Sequence, residues 1–178
     1  GISGGNIPCI FSRGNHDLRG KCAEILENYT PTNNGFSYYT FSLGEIWGIV
    51  LDCGEDKDDS HEAYGNTICC HNFRIEETDF LKSVAEKREF ESRNIKYKLV
   101  ISHIPFSWAF SPNSVFDIEK KIYSEWCQIL KEKIKPDFMI CGHIHDCFVI
   151  EENSEKDTYG QPCPVIVGSN TKCLDGTD

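Results

Sequence analysis

The chain has 178 residues, of which 39% are hydrophobic and 12% aromatic, and its formal net charge is −10. This composition excludes a disordered or fibrous chain and is sufficient for one globular domain with a buried core. No apolar run reaches the roughly 18 residues that a membrane span needs, and the acidic balance disfavours long nucleic acids as partners.

The apolar segments predict an α/β fold. Short runs of β-branched or aromatic residues, each bounded by turn residues, predict seven strands. These runs are residues 7–11, 36–42, 46–52, 96–102, 137–142, 147–151 and 164–169. Leu43 and Gly44 separate the second run from the third, which predicts a β-hairpin.

Two further segments, residues 74–90 and 117–134, predict amphipathic helices. In the second of them Ile118, Ile122 and Trp126 recur at helical spacing, so we expect these side chains to face the core. Strands and helices in this order indicate at least one mixed sheet flanked by helices.

The sequence contains ten cysteines, a number that also suits a disulfide framework. A chain of this length does not need disulfides, and no C-x-x-C occurs, so we expect mostly free thiols and no structural zinc knuckle. Free thiols favour a reducing compartment such as the cytoplasm.

Polar and ionisable residues follow three of the predicted strands. They are G-N-H-D at residues 14–17, His103, and G-H-I-H at residues 142–145. The carboxyl ends of strands are where α/β sheets build their sites, and imidazole with carboxamide is a ligand set for a divalent transition metal. Residues two apart in an extended chain project to one side, so His143 and His145 could serve two neighbouring ions.

These ordered motifs resemble the calcineurin-like metallophosphoesterase superfamily. The family also has a D-x-H and a G-D motif upstream of G-N-H-D, and neither occurs in the 13 residues that precede it here. The resemblance implies a single catalytic domain over residues 1–178, with a β-sandwich of mixed sheets flanked by helices and without the family's first strand region. The segment 51–65 is also similar to bacterial branches of the superfamily related to purple acid phosphatases.

The resemblance implies two divalent metal ions, for which Mn, Fe and Zn are all compatible. Asn15, His103 and His143 would bind the second ion, and His145 would bind the first. In the family, the missing D-x-H and G-D motifs supply the remaining ligands. We therefore expect the 178-residue chain alone to bind metal weakly and to be inactive.

The resemblance also assigns catalytic and substrate-binding roles. His16 would donate a proton to the leaving oxygen, with Asp17 orienting its ring, and Arg13 would bind the substrate phosphate. Asp17 as a helix cap and Arg13 as a surface salt bridge stay open as alternatives.

The implied reaction is hydrolysis of a small phosphate mono- or diester by a hydroxide that bridges two metal ions. Two alternatives on the same fold are a non-catalytic scaffold and a small-nucleotide phosphodiesterase. A scaffold has no need of a proton donor, so the presence of His16 favours catalysis.

The sequence also contains a run of acidic residues after the third predicted strand. They are Glu55, Asp56, Asp58, Asp59 and Glu62. We expect a solvated loop here, although its position at a strand end leaves open a place beside the site.

Overall fold

The computed structural model describes residues 6–108 and 114–168, which form a mixed α/β structure. Its strands are β1 (Tyr39–Leu43), β2 (Ile46–Leu51), β3 (Tyr97–Ser102), β4 (Phe138–Cys141), β5 (Cys147–Ile150) and β6 (Val165–Gly168). Its two α-helices are α1 (Cys70–Lys87) and α2 (Lys120–Ile129), and a short π-helical turn (Leu130–Ile134) continues α2. The prediction of an α/β fold with mixed strands and flanking helices is confirmed.

The six strands form one sheet in the order β1-β2-β3-β4-β6-β5. The four central strands are parallel, while β1 and β5 pair antiparallel at the two edges. The predicted hairpin is confirmed, because β1 and β2 pair with Leu43 opposite Ile46. Parallel neighbours bring the carboxyl ends of β2, β3 and β4 to one side of the sheet.

The helices pack on the sheet and enclose one core. Trp126 of α2 is fully buried, packs edge-on against Phe106 and donates a hydrogen bond from Nε1 to Thr78 Oγ1 of α1 at 2.7 Å. Leu81 of α1 and Met139 of β4 are also fully buried. The predicted role of Trp126 as a core residue is confirmed.

The prediction of a strand at residues 7–11 is wrong. Within residues 6–108 and 114–168 no strand pairs with this segment, and Ile7 is 67% exposed. The segment is hydrogen-bonded to β1 through a side chain: the Tyr39 hydroxyl accepts from Phe11 N at 3.2 Å and donates to Phe11 O at 2.7 Å. A strand needs the ladder of a neighbouring strand, and apolar content alone does not supply one.

Eight cysteines in the described residues are free thiols, as the sequence suggested for most of them. Cys147 is disulfide-bonded. No helix of the described residues has the length and apolar character to cross a bilayer. Position 169 of the last predicted strand lies outside the described residues.

Candidate metal centre

Two imidazoles of the candidate site come from neighbouring parallel strands. His103 directly follows β3 and His143 follows β4 and one glycine. The two strand ends are joined, because Gly142 N donates to His103 O at 3.0 Å. As a result the two rings lie with their centroids 5.2 Å apart and their planes at 77°. The predicted convergence of these two strand ends is present in the structure.

The G-H-I-H segment is a tight turn and not an extended chain. His143 has φ 68° and His145 has φ 57°, both in the left-handed region, and Ile144 N donates to Gly142 O at 2.8 Å. The prediction that His143 and His145 project to one side of an extended chain is therefore wrong. A left-handed conformation at a residue with a Cβ costs roughly 1–3 kcal/mol, and such residues concentrate at functional sites.

The G-N-H-D segment forms a short 3-10 turn, Asn15–Leu18. Gly14 precedes the turn, and its N–H donates to Asp17 Oδ2 at 2.9 Å. Asn15 is 2% exposed, whereas His16 is exposed. A Cβ at Gly14 would lie 3.2 Å from three atoms of the His103 ring, so glycine lets this turn approach the β3 end closely.

The turn and the two strand ends line one cavity of about 430 Å³. Six of the seven predicted site residues contribute to its wall: Asn15, His16, Asp17, His103, His143 and His145. Segments that lie more than 80 positions apart in the sequence therefore meet at the edge of the sheet predicted for them.

Arg13 does not line this cavity. Its Nε donates to Asp52 Oδ2 at 2.6 Å, and its guanidinium lies 5.3 Å from the centre of the Phe73 ring. The structure therefore shows Arg13 in an ion pair, which was the alternative to phosphate binding. Asp17 likewise makes the capping contact to Gly14 that was the alternative to orienting His16.

A sequence model of the calcineurin-like phosphoesterase family matches residues 2–147. The chain belongs to this family. Among solved structures, a purple acid phosphatase isolated from yellow lupin (Lupinus luteus) seeds matches with a TM-score of 0.51 and 12% identity, over 87% of this chain and 27% of that chain. At this identity the match concerns the fold, and it supports the predicted metallophosphoesterase fold. No curated protein matches the sequence.

The family implies divalent metal ions, and the donor groups of this calcineurin-like phosphoesterase chain suit them. Burial lowers the pKa of His103, and burial together with His103 lowers the pKa of His143 to about 4. Both rings are therefore neutral near pH 7, which is the form that binds metal. Asn15 Nδ2, which is an N–H donor, is buried and has no hydrogen-bond partner among the described residues, a costly state that points to a hydrogen-bond acceptor such as water in the cavity and not to the metal itself.

The ligand set is nevertheless incomplete. Within residues 6–108 and 114–168, no three His, Cys, Asp or Glu side chains form a group that could hold an ion. Asn15 is not one of these four residue types, so the assignment of Asn15, His103 and His143 to one ion and of His145 to the other stays a prediction. The residues fit divalent metal in their chemistry and supply part of its ligand shell.

The loop of residues 52–56, here called the acidic loop, follows β2 at the same edge of the sheet. The sequence left open a place beside the site for Glu55 and Asp56 of this loop and did not single out Asp52. Asp52 and Glu55 are each 1% exposed, and Asp56 Oδ2 lies 3.8 Å from His143 Nε2. Burial alone would raise the pKa of Asp56, but hydrogen bonds from Lys57 and Tyr64 lower it below its ordinary value. The expectation of a solvated loop is wrong for Glu55 and Asp56. The alternative that the sequence left open, a place beside the site at a strand end, is the one that the structure shows for Asp56.

Proposed function

We propose that the chain is part of one catalytic domain, spanning residues 1–178, that hydrolyses a small phosphate mono- or diester. One observation supports this more than any other: the side chains of G-N-H-D, His103 and G-H-I-H line a single cavity. Membership of the calcineurin-like phosphoesterase family gives the reaction class. A cavity of about 430 Å³ is of the size that holds a small molecule.

Asn15, His103 and His143 would hold one divalent ion, and His145 would take part in holding the other. When bound, the ions would acidify a water molecule and offset the negative charge of the phosphoryl group. Mn, Fe and Zn all accept nitrogen and oxygen ligands. The burial that keeps His103 and His143 neutral is this chain's own contribution to metal binding.

His16 would donate a proton to the leaving oxygen. Its ring lines the cavity and is exposed to it, while the neighbouring Asn15 is buried. Asp17 accepts from Gly14 N and so stabilises the turn that carries His16. In this proposal Asp17 acts through the position of the turn.

Arg13 would bind a phosphate oxygen through its terminal nitrogens. Its Nε is used by Asp52, which fixes the direction of the guanidinium. Because Arg13 does not line the cavity in this structure, this role requires the side chain to reorient or the substrate to extend beyond the cavity.

The test uses the natural polypeptide with its own termini, whose intact mass and metal content are measured first. It is loaded with Mn²⁺ and assayed on a phenyl phosphate, a phenyl phosphodiester and single-stranded DNA. We expect hydrolysis of a small ester and none of DNA. A preference for the diester would favour the small-nucleotide phosphodiesterase, and no hydrolysis of any substrate would favour a scaffold.

Two variants separate the proposed roles. His103→Ala should lose both bound metal and activity, whereas His16→Asn should keep its metal and lose roughly 100- to 10,000-fold in kcat. His71→Gln is the matched control, because this histidine lies on α1 and contacts Glu119 away from the cavity. Full activity in His16→Asn would exclude a proton-donor role.

A further inference from the structure

Side chains of helix α1 form hydrogen bonds with the backbone of the acidic loop. Arg74, which is 1% exposed, donates from Nε to Cys53 O at 2.8 Å and from Nη2 to Glu55 O at 2.6 Å. Glu77 accepts from Asp52 N at 2.7 Å. Gly54 has φ 66°, and a Cβ there would lie 2.9 Å from Cys70 Sγ, so the loop is also packed closely on the helix.

The three acids of this loop reach three different parts of the candidate metal centre. Asp52 accepts from Arg13, immediately before G-N-H-D. Glu55 accepts from two nitrogens of Arg19, shortly after it, with Nε at 2.6 Å. Asp56 faces His143 in the G-H-I-H turn. One short loop therefore contacts both flanks of the first motif and the first histidine of the last.

The two arginine contacts fix the position of the G-N-H-D turn. A carboxylate that is 1% exposed needs an opposite charge, and Arg13 and Arg19 supply it to Asp52 and Glu55. The Arg19 contact is bidentate, which restrains orientation as well as distance. Residues 7–11 have no strand partner among the described residues. These ion pairs therefore fix the backbone position of the turn, as strand pairing does for β3 and β4.

Asp56 is held so that one of its oxygens is directed at the imidazole. Tyr64 Oη and Lys57 Nζ donate to Oδ1, at 3.0 and 2.8 Å, while Oδ2 lies 3.8 Å from His143 Nε2. That separation is too long for a hydrogen bond, but the negative charge still favours a proton on the nearer ring nitrogen. A carboxylate that accepts a hydrogen bond from a metal-binding histidine sets its tautomer and orientation. At 3.8 Å Asp56 acts on His143 through its charge.

We propose that the acidic loop positions the metal ligands of this site: Asp52 and Glu55 fix the turn that carries Asn15, and Asp56 favours the His143 tautomer with its proton on Nε2, so that Nδ1 would be the nitrogen that binds metal. The proposal rests on the proposed function for the identity of the bound divalent ion. It adds three positioning residues outside the motifs. None of the three is assigned contact with the substrate.

The experiment uses the natural polypeptide with two readouts, one of which needs no metal. In the metal-free protein, 15N-histidine NMR reports which ring nitrogen of His143 carries the proton. Titration with Mn²⁺, followed by the EPR signal of the free ion, gives the Kd. The variants are Asp56→Asn and Glu55→Gln, and Asp58→Asn is the matched control because it is an exposed acid just after the same loop.

We expect Asp56→Asn to lose the preference for the Nε2 proton and to raise the Mn²⁺ Kd about 10- to 100-fold. Asp58→Asn should change neither. An unaltered tautomer together with an unaltered Kd in Asp56→Asn would overturn the role of Asp56. If the parent protein binds no Mn²⁺, the proposed function fails, and the metal-free NMR spectrum still decides whether Asp56 orients His143.

Glu55→Gln should speed amide hydrogen exchange in residues 13–19 by about tenfold or more, because local opening becomes easier. Should this variant fail to fold, the double variant Arg19→Gln/Glu55→Gln removes both charges, keeping the side-chain shape at position 55 and shortening it at position 19. Unchanged exchange and an unchanged Kd in a folded variant would overturn the role of Glu55.

Discussion

The candidate site joins two regions that are built by different means. His103 and His143 follow adjacent parallel strands, whose pairing extends to Ser102 and Cys141 and is continued by the hydrogen bond from Gly142 N to His103 O. Asn15 and His16 lie on a turn that pairs with no strand of residues 6–108 and 114–168, and the flanks of this turn form ion pairs with Asp52 and Glu55. The strand ends on one side of the cavity are therefore positioned by packing, and the turn on the other side is positioned by charge. The turn should therefore respond to loss of charge much more than the strand ends do.

The largest effect is expected from a substitution in the core that supports the ends of β3 and β4. Trp126→Ala removes a fully buried ring that packs against Phe106, three residues after His103. We expect the free energy of unfolding to fall by about 3–5 kcal/mol, measured by urea denaturation. Val149→Ala, at a side chain that is 53% exposed, is the control and should change it by about 0.5 kcal/mol or less. A small loss in Trp126→Ala would show that the strand ends do not depend on this packing.

The next largest effect is expected from loss of an ion pair beside the G-N-H-D turn. Arg13→Ala leaves the carboxylate of Asp52 buried without its guanidinium partner, so we expect a loss of about 3 kcal/mol in unfolding free energy. Arg88→Ala removes an exposed arginine paired with Glu91 and should cost about 0.5 kcal/mol or less. Equal losses in the two variants would mean that the Arg13 pair is an ordinary surface salt bridge.

Most of the sheet and the strand-borne half of the site could be predicted from the sequence. Apolar runs of alternating or continuous pattern are local signals, and six of the seven predicted strands are present. Once β3 and β4 are parallel neighbours, His103 and His143 must lie close together. The proximity of these two histidines therefore followed from the order of the strands.

The rest depended on contacts that a local pattern does not contain. Helix α1 begins at Cys70, four residues before the prediction, because the carboxylate of Asp59 accepts from Cys70 N and His71 N. Likewise, a sequence rich in acids does not show which carboxylates are buried against arginines. The roles of Asp52 and Glu55 became visible only when Arg13 and Arg19 were located beside them.

The pH dependence of stability tests the contact between helix α1 and the acidic loop, where Glu77 accepts from Asp52 N. Burial and the neighbouring Asp52 raise the pKa of Glu77 well above its ordinary value of 4.5. Above about pH 4.5 the unfolded chain releases this proton while the folded chain keeps it, so stability falls as the pH rises towards the folded-state pKa. The slope of this contribution is at most about 1.4 kcal/mol per pH unit.

Glu77→Gln should remove this slope and raise stability near neutral pH by about 1–2 kcal/mol. Urea denaturation of parent and variant between pH 4 and pH 8 measures the difference, and Glu76→Gln, at the exposed neighbouring position, is the control. Parallel stability curves for parent and Glu77→Gln would show that Glu77 is ionised in both states and that its burial costs nothing.

The smallest effect tests the contact between the two regions. In Gly14→Ala the new Cβ would lie 3.2 Å from the His103 ring, closer than the roughly 3.5–4.0 Å of an optimal carbon contact. The backbone at Gly14 has φ −95°, which alanine adopts without strain, so the gain from a stiffer unfolded chain offsets part of the crowding. We expect stability to change by less than about 1 kcal/mol, while the ring moves by a few tenths of an ångström and kcat/KM falls by up to about tenfold. Gly168→Ala, where no atom of the described residues beyond its chain neighbours lies within 4 Å of the added Cβ, should leave both quantities unchanged. Full activity in Gly14→Ala would mean that the turn can move away from His103, and the charge-held region would then be the more adaptable of the two.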